Sequence, residues 1–188
     1  NNAAREMRER ITRACGEGMA PSWLGTFHAL CARQLRAEPD IAYLRAGFDI
    51  RDADDTLAIV RRLIKATPVE QLPRPEEGEP GDARQIAKMV ERISRLKEDL
   101  VTPDVAGHHV EAMIARAHAQ NRFVDDAGWR YVVGLYGCYQ SLLREQNAAD
   151  FGDLLMWPTL AMLHNDAYRY RWSRRFTAVL ADEFQDVN

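Results

Sequence analysis

The sequence predicts an α/β unit in two pieces, residues 1–29 and 162–188, with a large all-helical domain, residues 30–161, inserted between them. Two observations lead there. Strand signals occur only near the ends, in Ser22-Trp23-Leu24-Gly25 and in Thr177-Ala178-Val179-Leu180-Ala181. From about residue 40 to the last of these, apolar residues recur at three- and four-residue steps, which is helical spacing. A helix–strand–helix opening suits half of an α/β layer, so the chain is expected to be predominantly helical with α/β ends.

Each element has a local reason. Ala3, Met7, Ile11 and Cys15 share one helical face and Arg5, Arg8, Arg10 and Arg13 the other, with Gly16 and Gly18 as the stop. Thr26-Phe27-His28 turns the short Trp23 strand into a second helix that closes near Pro39. Asp52 opens a third helix, with Asp55 three residues on as an approximate capping box and Leu57, Val60, Leu63 and Ile64 as its stripe. Residues 67–81 hold four prolines and two glycines among glutamates and read as a solvated loop. Asp82 caps the next helix, with Ile86, Met89, Ile93 and Leu96 inside, and Thr102-Pro103 opens another that runs to about Gln120. Asp125 or Asp126 begins a long helix whose inner face is Trp129, Val132, Tyr136, Tyr139 and Leu143, a core stripe. Asp150 with Asp153 caps a helix that Pro158 should kink or break. Asn165 starts the last helix, with Tyr168 and Trp172 inside.

Composition removes several classes of function. Of 188 residues, 46% are hydrophobic and 28% charged, ordinary for a globular protein. The net charge of −3 supplies no global field for nucleic acid, so such binding has to come from local groups. No apolar run approaches the roughly 20 residues that span a bilayer. Cys15, Cys31 and Cys138 are odd in number and lack metal or disulfide spacing, which fits a reducing cytoplasm. His108, His109 and His118 lack partners at zinc spacing and read as surface residues. The opening Asn1-Asn2-Ala3-Ala4 has no initiator Met and no signal-peptide core, so the sequence reads as a piece of a longer protein.

The chemistry concentrates at the end. An apolar strand that stops at Asp182-Glu183 can present one carboxylate to a divalent cation and a second to a water molecule that it orients and deprotonates. From that stretch alone, a core strand running out into a polar turn is an equal reading. Phe27 likewise reads equally as a core anchor of its helix, and His28 as a polar residue at a helix start.

Four stretches, in order, resemble one family. Asn1-Asn2-Ala3-Ala4-Arg5-Glu6-Met7-Arg8-Glu9-Arg10-Ile11 is similar to motif Ia of the superfamily-one DNA helicases of UvrD/Rep/PcrA type, and Gly25-Thr26-Phe27-His28 to motif Ib. Asp150-Phe151-Gly152-Asp153-Leu154-Leu155 resembles the segment that precedes motif II. Asp182-Glu183-Phe184-Gln185-Asp186-Val187-Asn188 resembles motif II itself, the Walker B equivalent. Arg61-Arg62-Leu63-Ile64-Lys65 and Asp99-Leu100-Val101-Thr102-Pro103 resemble parts of the family's domain 1B. Asn2 stands where the family usually has Lys, and Gly152 where it usually has an acid.

The resemblance implies a P-loop, RecA-like motor domain 1A at the two ends and helical domain 1B between them. It implies ATP and Mg²⁺ as cofactors, with Asp182 on the metal, Glu183 as general base, and Gln185 and Asp186 linking nucleotide state to neighbouring motifs. Asn1, Thr26, Phe27 and His28 would line the path of single-stranded DNA. Hydroxyl and amide groups bond phosphates without reading sequence, and flat rings accept any base. The implied activity is 3′ to 5′ movement on single-stranded DNA with duplex unwinding at single-strand/duplex junctions, alongside repair or replication proteins. A helicase fused to a nuclease stays within the family. No Gly-x-x-Gly-x-Gly-Lys-Thr/Ser loop is present, so the phosphate cradle is expected just before residue 1 and the second motor domain beyond residue 188. The chain alone is therefore expected to be inactive. The alternative is a non-enzymatic helical module that binds DNA or protein, with an acidic end that is not catalytic.

Overall fold

A computed structural model of the protein describes residues 2–16, 23–75 and 78–182. Over these the chain is predominantly helical: α1 (Asn2–Cys15), α2 (Phe27–Ala37), β1 (Asp49–Arg51), α3 (Ala53–Ala66), α4 (Ala83–Glu98), α5 (Pro103–Ala119), α6 (Asp126–Glu145), β2 (Ala148–Asp150), α7 (Phe151–His164) and α8 (Asp166–Ser173). Short 3₁₀ turns occupy Pro39–Ala42 and Val69–Gln71.

The helix starts are set by side-chain caps, which satisfy amide groups that the first turn leaves without a partner. Asp52 accepts from the Asp55 amide at 2.9 Å, Asp82 from Gln85 at 2.7 Å, Asp125 from Gly128 at 2.9 Å and Asn165 from Tyr168 at 3.0 Å. At Asp150 and Asp153 the capping box is reciprocal. Thr102 stands at an N-cap but makes no side-chain cap bond, so Pro103 at the first helical position carries that start. Gly16 ends α1 at φ 94°, a left-handed conformation open to glycine at little cost.

Two hydrophobic cores result. The larger lies among α3, α4, α5 and α6, where Val60, Ile64, Met89, Leu96, Val110, Val132, Tyr136, Tyr139 and Leu143 are buried. The smaller joins α2 to α7 through Ala32, Leu35, Phe48, Leu154, Met156 and Trp157. Between them β1 and β2 pair in parallel, with Asp49, Ile50 and Arg51 opposite Ala148, Ala149 and Asp150. At the edge of the smaller core the two ends of the chain meet. The Trp23 ring packs edge-on to Trp172 and Phe176 at 5.5 and 5.3 Å, under the Arg33 guanidinium.

Several expectations require correction. Thr177–Ala181 is not a strand, and Val179 and Leu180 are 81% and 97% exposed. An apolar strand is stable only with neighbours on its edges, and the two described strands pair with each other elsewhere. Trp23, Leu24 and Gly25 form no strand either, and Ser22 lies outside the described residues. Conversely, β1 and β2 fall inside the region read as purely helical; three residues each are too short for a periodicity to register. Pro158 does not break α7, which continues to His164. Its burial beside Met156 and Trp157 offsets the lost hydrogen bond. The loop at 67–81 is anchored: Leu72 is buried and the Gln85 side chain donates to the Pro73 carbonyl at 2.7 Å.

Leu143 is fully buried at the centre of the larger core. Leu143→Ala is expected to lower unfolding stability by roughly 2–5 kcal/mol through lost transfer energy and the cavity left behind. Urea denaturation of the folded protein measures it.

Candidate nucleic-acid interface

Two of the motif segments that the structure describes, Gly25–His28 and Asp150–Leu155, lie at helix starts. Thr26 is the N-cap of α2, and its hydroxyl oxygen accepts from the Ala29 amide at 3.3 Å. A hydroxyl used this way still carries a proton to donate to a phosphate oxygen. Phe27, the first residue of α2, is 54% exposed, so it is not the core anchor its position allowed. His28 follows it, also exposed, and its ring meets Phe151 edge-on at 5.8 Å. Phe151 is the first residue of α7 and is 50% exposed. Packing α2 against α7 thus brings His28 and Phe151, from two distant motif segments, into contact at the surface, with Phe27 exposed at the start of α2. Phe151 was not among the candidate residues. The signal for it was a large apolar residue directly after a capping aspartate, a position that faces solvent more often than core.

The remaining candidates are not assembled here. Asn1, Glu183, Gln185 and Asp186 lie outside the described residues. Asp182 is described and exposed. Its carboxylate is a suitable oxygen ligand for Mg²⁺, but among the described residues no group of three His, Cys, Asp or Glu side chains could hold a metal ion. Mg²⁺ of a nucleotide takes one or two carboxylates, the rest of its shell being phosphate and water oxygens, so the exposed Asp182 suits that role. The three cysteines are free thiols, and no helix among the described residues is long and apolar enough to cross a membrane.

Behind Phe151 lies a buried charge cluster. Lys97, in the last turn of α4, is 2% exposed. Its ammonium donates to Asp150 Oδ2 at 2.7 Å and to Asp153 Oδ1 at 2.8 Å. Asp150 Oδ2 also accepts from the Tyr139 hydroxyl at 2.7 Å. Asp153 accepts from Gln140 Nε2 at 3.0 and 3.1 Å and from Trp157 Nε1 at 3.2 Å. The box itself closes through the Asp150 amide to Asp153 Oδ2 at 3.2 Å and the Asp153 amide to Asp150 Oδ1 at 2.8 Å. One cation thus serves two carboxylates, and the two are driven apart. Burial pushes Asp150 up, but the Lys97 ammonium, the Asp153 amide and the Tyr139 hydroxyl together hold it below the ordinary aspartate range. Burial of Asp153 is complete and outweighs the same ammonium, so its carboxyl lies above that range. Burial raises the Tyr139 and Tyr136 phenols well above their usual value, so both remain hydrogen-bond donors.

The sequence did hold a sign of this cluster. Lys97 falls four residues after Ile93, on the apolar stripe of α4, and a lone cation there needs a buried counter-charge.

Lys97→Met leaves the two carboxylates without their cation. Breaking a buried pair in this way costs roughly 3–5 kcal/mol. Without the ammonium both folded-state carboxyls lie above their unfolded value of about 3.9. A raised folded-state value favours folding below the unfolded value and loses that contribution as pH rises through the folded one. The deficit relative to wild type is thus expected to be largest near neutral pH and to shrink as pH falls toward 5. Urea titrations of both proteins at a series of pH values measure it.

A model of the UvrD/REP helicase N-terminal domain matches residues 1–188. The chain is 30% identical over 189 residues to the ATP-dependent DNA helicase Rep of Escherichia coli (strain K12), covering all of this chain and 24% of that protein. It is 31% identical over 188 residues to DNA helicase II of the same organism, covering 23% of it. It is 36% identical over 192 residues to the ATP-dependent DNA helicase UvrD1 of Mycobacterium tuberculosis (strain ATCC 25618 / H37Rv), covering 22% of it. The chain thus spans about a quarter of the length of the curated relatives it matches. With the match running from the first residue to the last, the chain belongs to the UvrD/REP helicase family, within its N-terminal domain.

Proposed function

We propose that this chain is the DNA-facing part of the first motor domain of an ATP-dependent 3′ to 5′ helicase that moves along single-stranded DNA and opens duplex at junctions. The observation that carries the reading is the surface contact of His28 with Phe151 where α2 and α7 start, beside the exposed Phe27 ring. Exposed rings at the free amide end of a helix suit an unpaired strand: the rings meet bases regardless of sequence, while Thr26 and the helix start meet phosphate. The relatives named above are DNA helicases, two of them named as ATP-dependent, which supports DNA as ligand and ATP as fuel.

In this reading residues 1–29 and 162–188 belong to motor domain 1A and residues 30–161 to the inserted domain 1B. Asn1 joins Thr26, Phe27 and His28 on the strand. Asp182 would hold Mg²⁺ of the nucleotide, which would supply charge neutralisation at the phosphates. Glu183 would orient the attacking water and take its proton, and Gln185 and Asp186 would link the nucleotide state to neighbouring motifs. Repair or replication proteins are partners of the intact protein, in a reducing cytoplasm. The sequence carries no phosphate-cradling Gly-x-x-Gly-x-Gly-Lys-Thr/Ser loop, and hydrolysis depends on that charge stabilisation, so this chain alone is expected to be inactive.

Two measurements test the reading. ATP hydrolysis with Mg²⁺ is expected to be absent in this chain, strongly stimulated by single-stranded DNA in the full-length protein, and reduced at least 100-fold by Glu183→Gln, since loss of a general base costs roughly 10²–10⁴. In the same protein Phe27→Ala is expected to weaken binding of single-stranded oligonucleotides by about 1–3 kcal/mol, read by fluorescence anisotropy. A full-length protein without DNA-stimulated turnover would hand the assignment to the helical binding-module reading.

A further inference from the structure

The exposed ring of Phe151 and the carboxylates that hold the buried ammonium of Lys97 meet at the first turn of α7. Phe151 lies between Asp150 and Asp153, the two carboxylates that Lys97 holds. The residue after it, Gly152, lies directly over the lysine stem. A Cβ built there would sit 2.8 Å from Lys97 Cδ and 3.3 Å from Lys97 Cβ. A flexible surface lysine would move aside. This one cannot do so freely, because its ammonium is fixed by two carboxylates and its side chain is 1% exposed. Gly152 and Lys97 therefore interlock: the missing side chain at 152 is the space that the stem occupies.

We infer that Lys97 is a positioning residue for single-stranded DNA, clamping the first turn of α7 through Asp150 and Asp153 so that Phe151 stands against His28, with Gly152 as the clearance the clamp requires. The inference rests on the reading of Phe27, His28 and Phe151 as a DNA surface. Lys97 touches no DNA. It acts on affinity by removing the cost of ordering Phe151 at the moment of binding. Because α4 supplies the lysine and α7 the ring, the clamp also ties the DNA surface to the four-helix core.

The test is a double-mutant cycle in the full-length protein, reading the single-stranded DNA concentration that gives half-maximal ATPase stimulation, together with turnover at saturating DNA and the melting temperature. Phe151→Ala is expected to raise the half-maximal concentration about 5- to 100-fold, the range of one lost ring–base contact. Gly152→Ala, which pushes the lysine stem off its seat, is expected to raise it in the same sense by at least threefold while turnover at saturating DNA is retained. Combined, the two changes are expected to give no more than Phe151→Ala alone, because residues acting through one contact are not additive. A second variant, Lys97→Met with Asp153→Asn, keeps the net charge of the cluster while removing the clamp, and is expected to reproduce the Gly152→Ala effect.

If Phe151→Ala leaves the half-maximal concentration unchanged, the aromatic DNA surface is wrong and the inference falls with it. If Phe151→Ala acts but Gly152→Ala and the Lys97/Asp153 pair change only the melting temperature, or multiply with Phe151→Ala, the surface stands and the clamp is overturned.

Discussion

Everything near the exposed aromatic surface depends on where one ammonium goes. Lys97 comes from α4 and its two carboxylates from the start of α7, so a single ion cluster joins the four-helix core to the α2–α7 pair. Removing a charge from water is expensive, and attraction in the interior repays it only when the geometry is close and the remaining lone pairs are filled. Here they are filled by Tyr139, Gln140, Trp157 and two backbone amides. Such a cluster adds little net stability over a hydrophobic equivalent of the same volume. Both carboxylates reach the lysine from one turn of α7, which ties that turn to α4.

The same economy explains how α7 tolerates Pro158. A helix that starts on a reciprocal capping box and buries Leu154, Met156 and Trp157 within two turns is held at both its N-terminus and its face. The missing hydrogen bond at a mid-helix proline is a local loss of about 3 kcal/mol, smaller than the burial that surrounds it. At the far end α8 is fastened by Glu38, which accepts from the Trp172 indole at 2.9 Å and pairs with Arg171. The exposed rings at the starts of α2 and α7 thus sit on helices whose other faces are fixed.

How far the sequence could be read followed the range of the forces involved. Local forces were legible. Asp52, Asp82, Asp125, Asp150 and Asn165 all cap as their positions predict, and the stripe from Trp129 to Leu143 is buried. Long-range forces were not. The β1–β2 pair is three residues wide and joins positions far apart, so no window contains it. The partner of Lys97 lies more than fifty residues away, although its place on an apolar stripe announced that one was needed. Thr177–Ala181 carried a genuine strand composition, but a strand is a property of two chains of backbone, and its neighbour is not among the described residues. The order of motifs at Gly25–His28 and Asp150–Leu155 was visible as text. That His28 and Phe151 touch was not, because contact requires the fold.

The parallel pairing of Asp49 with Ala148 has a kinetic side. It closes a loop of about a hundred residues that contains four long helices. Helices and neighbouring helix pairs form from contacts close in sequence, whereas closing a long loop carries an entropic cost that must be met before its contacts return anything. Sequence separation thus favours an order in which the helical bundle precedes the strand pair and the α2–α7 contact. A chain caught between those stages would possess nearly all of its helix while His28 and Phe151 were still apart. In that order of events, acquiring secondary structure and bringing His28 against Phe151 are separate steps.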